Sequence, residues 1–292
     1  MANLKEIQRQ IKSVKNTQKT TNAMKLVSSA KLRRTEQLSK QAKSYALKLN
    51  EVLRDIAVRV NNSLVDNDNR VFGTVDNPKV VDIIVVTADK GLCGGFNFQT
   101  IKAVSNMKAK YESQGSQVRL RIAGRKGIDF FSFNDVEIEA QEIGLSAAPD
   151  YELASKFISQ AVVDFKEGKT DKVILVHNGF LNMLSQELKV DNILPIELSD
   201  IDGDNEVLEI EPTDDDEIVL DELVGKYIDF NMYFALIDSL AAEHSARMQA
   251  MDNATNNAKD RVNALTIQFN KARQAAITTE LIEIISGSEA LN

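Results

Sequence analysis

The sequence predicts an α/β protein in which the N- and C-terminal helices form a long antiparallel coiled coil beside a small central α/β domain with a mostly parallel sheet. Three observations predict it. Both ends carry apolar residues at alternating spacings of three and four, which is the pattern of a coiled-coil seam. The middle alternates β-branched runs with helical segments, as α/β domains do. A polar, turn-rich stretch at 61–78 separates the two patterns, so we expect segments 1–60, 61–211 and 212–292.

The N-terminal helix is predicted over residues 1–60, which contain neither glycine nor proline. Asn3 and Glu6 have the spacing of a capping box at its start. The seam is apolar at both ends, but polar or small in its middle, so we expect weaker packing there. Its positions are Leu4, Ile7, Ile11, Val14, Gln18, Thr21, Lys25, Ser28, Ala42, Ala46, Leu49, Leu53, Ile56 and Val60.

The central domain begins with a nearly continuous β-branched run at 80–87, which is typical of a buried parallel strand. Further strands are predicted at 118–123, 136–142 and 172–177, and helices at 98–112, 125–131 and 151–166. We interpret residues 186–211 as extended segments and acidic turns that lead to the last helix.

The C-terminal helix is predicted over 212–286, which holds one glycine and no proline after Pro212. At ~1.5 Å per residue it would extend on the order of 110 Å, more than the diameter of a compact domain of this size. Pairing Ile56 with Pro212 would bring Leu4 to about the level of Thr266, leaving the last twenty or so residues without a partner helix. The alternative is two unrelated amphipathic helices on one globular core. The predicted seam is Leu220, Leu223, Tyr227, Phe230, Phe234, Ile237, Ala241, His244, Met248, Met251, Thr255, Ala258, Val262, Leu265, Phe269, Ala272 and Ala276.

Charge is distributed unevenly along a chain whose net charge is −8. Residues 1–60 hold 14 Lys or Arg and 4 acidic residues, whereas 190–225 hold 14 acidic residues and no Lys or Arg. Each block could be a solvated surface, or the two could meet each other or charged partners. Nucleic acid is disfavoured as a partner, because the basic helix has one aromatic residue, Tyr45, and the whole chain is acidic.

The glycine loop after the first predicted strand is the strongest candidate for a chemical site. Gly91, Gly94 and Gly95 match neither the dinucleotide-binding spacing nor the Walker pattern, so we interpret the loop as a tight strand-to-helix turn. Cys93, the only cysteine, is expected to be a small packed side chain. The acidic run 214–217 lacks the spacing of a calcium loop. We therefore expect no catalytic residue, no metal site and no cofactor.

Three parts of the sequence closely resemble the gamma subunit of F-type ATP synthase, in its bacterial form. Residues 13–34 resemble its N-terminal helix, residues 246–258 and 270–287 resemble its C-terminal helix, and residues 87–97 resemble the glycine turn of its central domain. The resemblance covers the whole chain. It implies a central-stalk rotor that does no chemistry itself and transmits rotation from the membrane c-ring to the catalytic alpha and beta ring, coupling ion flow to ATP synthesis.

The resemblance also implies partners and contact residues. Met24 and Lys25 match a pair that contacts a loop of the beta subunit, and Arg273, Gln274 and Thr278 match a polar group that engages another such loop near the tip.

Further contacts are implied at both ends of the coiled coil. Glu211 lies where the family has an acidic residue in the foot that binds the epsilon subunit and the c-ring. Ile277 and Leu281 would lie in the apolar collar of the alpha and beta ring.

The remaining expectations concern location and the alternatives. No run of eighteen apolar residues occurs, so no membrane-spanning helix is expected. The resemblance implies a peripheral protein on the cytoplasmic face of a bacterial cell membrane. Two other functions stay open at this point: a passive coiled-coil adaptor, and a nucleotide-using enzyme within residues 79–200.

Overall fold

The computed structural model describes residues 4–63, 70–197 and 214–289, with side chains at 4–53, 70–197 and 221–288. The chain forms two compact units, one of Met1–Ser29 with Arg247–Asn292 and the other of Ala30–Ala246. The helices are α1 (Leu4–Ser63), α2 (Phe96–Ser113), α3 (Arg125–Phe133), α4 (Tyr151–Lys166) and α5 (Asp214–Glu289). The strands are β1 (Val80–Val86), β2 (Gln117–Ala123), β3 (Ile138–Glu142), β4 (Lys172–Phe180) and β5 (Gln186–Leu194).

The five strands form one sheet in the order β3-β2-β1-β4-β5. The pairs β1–β2, β1–β4 and β2–β3 are parallel, and β4–β5 is antiparallel, with His177 opposite Lys189. This confirms the predicted fold class of two long terminal helices with a mostly parallel sheet. Strand β4 is three residues longer than predicted, and the first part of the extended stretch 186–211 is β5. The rest of that stretch, from 198 to 211, lies outside the described residues.

The sheet is covered on both faces, which explains the continuous apolar run of β1. Ile84 and Val86 point into a core shared with α4 and α5, whereas Ile83 and Val85 point into a second core shared with α2 and α3. Alternate side chains of a strand face opposite sides, so a strand buried on both faces is apolar throughout.

Helix α5 is buried on more than one side within the larger unit. Its predicted seam residues Phe230 and Ile237 pack against Ala42 and Leu49 of α1. Other residues of α5, including Met232, pack into the core beneath the sheet. The seam is therefore correct but incomplete as a description of α5, because this part of the helix packs on the sheet as well as on α1.

A buried ionic cluster lies beside this core. Asp82 accepts hydrogen bonds from Nε of Arg119 at 2.6 Å, Nε of Arg121 at 2.9 Å and Oγ1 of Thr170 at 3.0 Å. Nη2 of Arg121 donates to Asp164 at 2.5 Å. Asp82 and Arg121 are almost completely buried, and two carboxylates balance two guanidinium groups.

The pKa shifts of Asp164 and Arg119 follow from the pairing. Burial alone would raise the pKa of the Asp164 carboxyl, but a hydrogen bond from Gln160 and the charge of Arg121 outweigh it and lower that pKa. Burial alone would lower the pKa of Arg119, but its hydrogen bond to Asp82 and the charge of Asp82 raise it. Both shifts favour the charged forms of Asp164 and Arg119, as a buried ion-pair network requires.

The crevice at the carboxyl ends of β1 and β4 is filled by helix α5. Cys93 and Phe96, from the loop and helix after β1, pack with Ala242 and Ala246 of α5. In open α/β sheets this point, where the strand order reverses, is the usual ligand crevice. Cys93 is 2% exposed, so the prediction of a small packed side chain is confirmed.

The ionic cluster generates a prediction about stability. Asp82→Ala removes the common acceptor of Arg119 and Arg121 and leaves two guanidinium groups with one carboxylate, Asp164. We expect the free energy of unfolding in urea to fall by about 3–5 kcal/mol. The control is Lys166→Ala, which breaks an exposed 2.9 Å pair with Asp221 and should cost roughly 0–1 kcal/mol. Equal losses in the two variants would contradict the assigned role of the cluster.

Candidate partner-binding site

The smaller compact unit contains an antiparallel pair of helical segments. Oγ1 of Thr21 lies 2.8 Å from Oγ1 of Thr255, and Nζ of Lys25 donates to Oδ1 of Asp252 at 2.7 Å. Residue numbers thus rise along α1 as they fall along α5, which confirms the antiparallel coiled coil. These polar contacts lie at the part of the α1 seam where the sequence has polar or small residues.

The register of this pair differs from the expected one. The Thr21–Thr255 contact places Leu4 at about the level of Ala272 rather than Thr266. The expectation was wrong by nearly one heptad, because a seam that repeats every seven residues accepts either register and the polar contacts select one of them. The expected neighbours Ile56 and Pro212 cannot be compared, because Pro212 and the side chain of Ile56 lie outside the described parts of the chain.

Lys25 is an ion-paired residue in this structure. Its side chain is 35% exposed and that of its partner Asp252 is 44% exposed, and Met24 beside it is half-buried. A pair this exposed contributes less than ~1 kcal/mol, so the ammonium group can exchange or share Asp252 at little cost. An ammonium group has three N–H donors, so Lys25 can bind a second acceptor while it keeps Asp252.

The last part of α5 is exposed at every described position from Arg273 to 288. Gln274 and Thr278 lie four residues apart and therefore on the same side of the helix, where Oγ1 of Thr278 bonds to the carbonyl oxygen of Gln274 at 3.0 Å. Arg273, Ile277 and Leu281 form a second row at the same spacing.

The same segment exposes a contiguous apolar surface. Ile277 is 49% exposed and Leu281 is 54% exposed. Three further residues are more exposed than these: Ile282, Ile284 and Ile285. Single exposed apolar residues are ordinary, but a contiguous set of this kind marks an interaction surface. We call the exposed segment 273–288 the tip.

The predicted contact residues thus fall into separate places. Lys25 contacts α5 at Asp252. Along α5, Asp252 and Arg273 are about 30 Å apart, at ~1.5 Å per residue. The structure therefore does not bring Met24 and Lys25 together with the tip residues. Glu211, the predicted foot contact, lies outside the described residues.

Two negative findings apply to the described residues alone. No helix among them is both long enough and apolar enough to cross a membrane. In the same parts of the chain, no group of three His, Cys, Asp or Glu residues has the arrangement of a metal site.

Comparison with known proteins gives consistent matches over the full length of the chain. The family model described as ATP synthase matches residues 3–291. The ATP synthase gamma chain of Aliarcobacter butzleri is 65% identical, and that of a Sulfurovum species is 58% identical, each alignment covering 100% of both chains. A chain from the mitochondrial ATP synthase of Euglena gracilis, solved with its F1 part and c-ring, superimposes with a TM-score of 0.68. It is 17% identical over 99% of this chain and 94% of that chain, a likeness of fold.

The different burial of two leucines in α5 generates a prediction. Leu265 is 2% exposed and Leu281 is 54% exposed. Leu265→Ala should lower the free energy of unfolding of the isolated chain by about 2–5 kcal/mol, since it leaves a cavity. Leu281→Ala is the matched control and should change it by less than ~0.5 kcal/mol. Chemical denaturation of both variants tests this, and a large loss in Leu281→Ala would mean that the tip packs on its own chain.

Proposed function

This chain belongs to the family of ATP synthase gamma chains, and we propose that it acts as the central-stalk rotor subunit of a bacterial F-type ATP synthase. In this role it transmits rotation from the membrane c-ring to the ring of alpha and beta subunits, and so couples ion flow across the membrane to ATP synthesis. The observation that carries the proposal is the tip, an apolar end of a coiled-coil helix that the described residues leave uncovered.

The apolar residues of the tip have the properties of a bearing. Burying each of these side chains is worth roughly 1.5–3 kcal/mol. The attraction is non-directional, so an apolar collar of the alpha and beta ring can hold the tip without fixing its angle. Ile277 and Leu281 are the residues to which we assign this role.

The polar residues of the tip can form directional hydrogen bonds, which the apolar residues cannot. A charge-assisted hydrogen bond from Arg273 forms only when an acceptor lies at the correct distance and angle. Arg273, Gln274 and Thr278 would therefore engage a loop of a beta subunit at some rotary positions and release it at others. Met24 and Lys25 would contact a second beta-subunit loop. The Lys25 ammonium group would bind an acceptor of that loop while it keeps its ion pair with Asp252.

The sheet-containing unit would serve as the foot. We propose that it binds the epsilon subunit and the c-ring at the cytoplasmic face of the membrane, with Glu211 among the contacts. The functional division would be 1–60 and 212–292 for the coiled coil and 61–211 for the linker and foot. Packing of Ala242 and Ala246 in the crevice of the sheet supports a subunit that performs no nucleotide chemistry of its own.

The directional role of Arg273 has a direct test in the assembled complex. Arg273→Ala should lower ATP turnover by about tenfold or more, because a charge-assisted hydrogen bond made in only some rotary states is lost. Assembly should be unchanged, since an exposed arginine contributes little to stability. The control is Arg261→Ala, an exposed arginine of the same helix outside the tip. Unchanged turnover in Arg273→Ala would refute the role assigned to this residue.

The bearing role of the tip is tested by a charge. Leu281→Asp should weaken binding of the full chain to a reconstituted alpha and beta ring by about tenfold or more, because a charge cannot be buried in an apolar collar without a partner. Leu281→Met keeps the apolar surface and is the control, with expected affinity close to that of the unmodified chain. Ring affinity that is the same for Asp and Met at this position would exclude the bearing.

A further inference from the structure

Strands β4 and β5 and helices α1 and α5 line a partly open cavity of about 400 Å³ in the larger compact unit. We call it the β5 cavity. Part of its wall is apolar and includes the rings of Tyr227 and Phe234. The remainder is polar or charged and consists of Asn50, His177, Lys189, Asp191, Asn192 and Asn231. Several polar side chains therefore converge on one cavity beside two aromatic rings.

Three buried polar atoms on this wall have no hydrogen-bond partner in the described chain: Oδ1 of Asn50, Nδ1 of His177 and Oδ1 of Asn192. Six such atoms occur among the described side chains, so half of them line this one cavity. Leaving buried polar atoms unpaired is costly, and their concentration in one place requires a cause.

Oδ1 of Asn50 and Oδ1 of Asn192 are acceptors. The amide nitrogen of Asn192 donates to the carbonyl oxygen of Pro195 at 2.8 Å and to Glu197 at 3.3 Å, so its oxygen faces the cavity. Nε2 of His177 lies 3.4 Å from a carboxylate oxygen of Asp238, and in the tautomer with its proton on Nε2 the ring has a lone pair on Nδ1. The cavity therefore presents acceptors that lack a donor.

The charges around His177 leave one negative charge without a described counter-ion. Nζ of Lys189 donates to Asp238 at 2.6 Å, and these two charges cancel. Burial alone would raise the pKa of Asp238, but the hydrogen bonds from His177 and Lys189 outweigh it and lower that pKa, so Asp238 is ionised. The Asp191 carboxylate remains. It lies 3.6 Å from Nδ1 of His177 and is 50% exposed, at the more open side of the cavity.

We propose that the β5 cavity binds a small organic ammonium ion. A primary ammonium group supplies up to three N–H donors for the unpaired acceptors and the positive charge that Asp191 lacks. The rings of Tyr227 and Phe234 would lie against its alkyl part and attract its charge. The volume is more than ten times the roughly 30 Å³ that one water molecule occupies, and it lies in the range of small-molecule sites.

The same atoms fit a metal ion less well. The wall provides one imidazole and one carboxylate, and the described residues contain no group of three His, Cys, Asp or Glu side chains suited to a metal. The ammonium group of Lys189 also lines the cavity and would repel a divalent ion more strongly than a monovalent one.

The test uses the full chain, with propylammonium chloride as the probe and the neutral 1-propanol as its matched compound. Binding is followed by the ring nitrogen NMR signals of His177 and by calorimetry. We expect saturable binding of propylammonium that shifts the His177 signals, and no such binding of 1-propanol. Asp191→Asn should weaken the binding about tenfold or more, because a charge-assisted contact is lost. The control Glu187→Gln removes an exposed charge from the same strand and should leave it unchanged.

Four outcomes would overturn the proposal. Absence of saturable propylammonium binding would mean that the cavity holds water alone. Equal weakening in Asp191→Asn and Glu187→Gln would mean that the probe gathers at an acidic surface. Binding of Zn²⁺ in place of propylammonium would assign the site to a metal. A His177 ring already doubly protonated near neutral pH without the probe would itself supply the missing charge.

Discussion

The burial of helix α5 on two sides is the constraint on which the larger unit depends. Phe230 and Ile237 pack against α1, while Ile228 and Met232 complete the core beneath the sheet. Because one helix supplies residues both to the contact with α1 and to the core beneath the sheet, neither is complete without it. The same helix places Ala242 in the crevice at the carboxyl ends of the strands. A crevice that holds a ligand in many α/β proteins is thus a packing surface here, which suits a subunit that transmits force.

Local patterns in the sequence predicted most of this fold, because the features concerned are local. A buried parallel strand needs a continuous apolar run, and a coiled-coil helix needs a three-four repeat, so both can be found without knowing what they contact. The axial register was missed by nearly one heptad because it depends on Thr21 and Lys25 meeting Thr255 and Asp252. Those partners lie more than 200 residues away, and a periodic seam does not distinguish them from the next turn.

Some features of the candidate sites could likewise be predicted from the sequence, and others could not. Arg273, Gln274 and Leu281 could be predicted from resemblance, and the structure adds that all three are exposed. The ion pair of Lys25 and the unpaired acceptors of the β5 cavity could not be predicted. A hydrogen bond that is absent leaves no signal in a sequence, since Asn50 and Asn192 have ordinary side chains whose partners are set by the surrounding fold. Asp82 stands in an apolar run and was the one visible sign of the buried ionic cluster.

A rotor subunit has two requirements that oppose each other, and different interactions meet them. Torque passes along paired helices only if they cannot slide past each other, and polar contacts within an otherwise apolar seam oppose sliding because a shifted register would leave them unpaired. The part-buried pair of Thr21 and Thr255 provides such a contact, whereas the more exposed pair of Lys25 and Asp252 adds little. A turning tip needs the opposite property, which is attraction without preferred direction, and we propose that exposed Ile277 and Leu281 provide it. The polar middle of the seam therefore fixes the register on which rotation depends, although it weakens apolar packing.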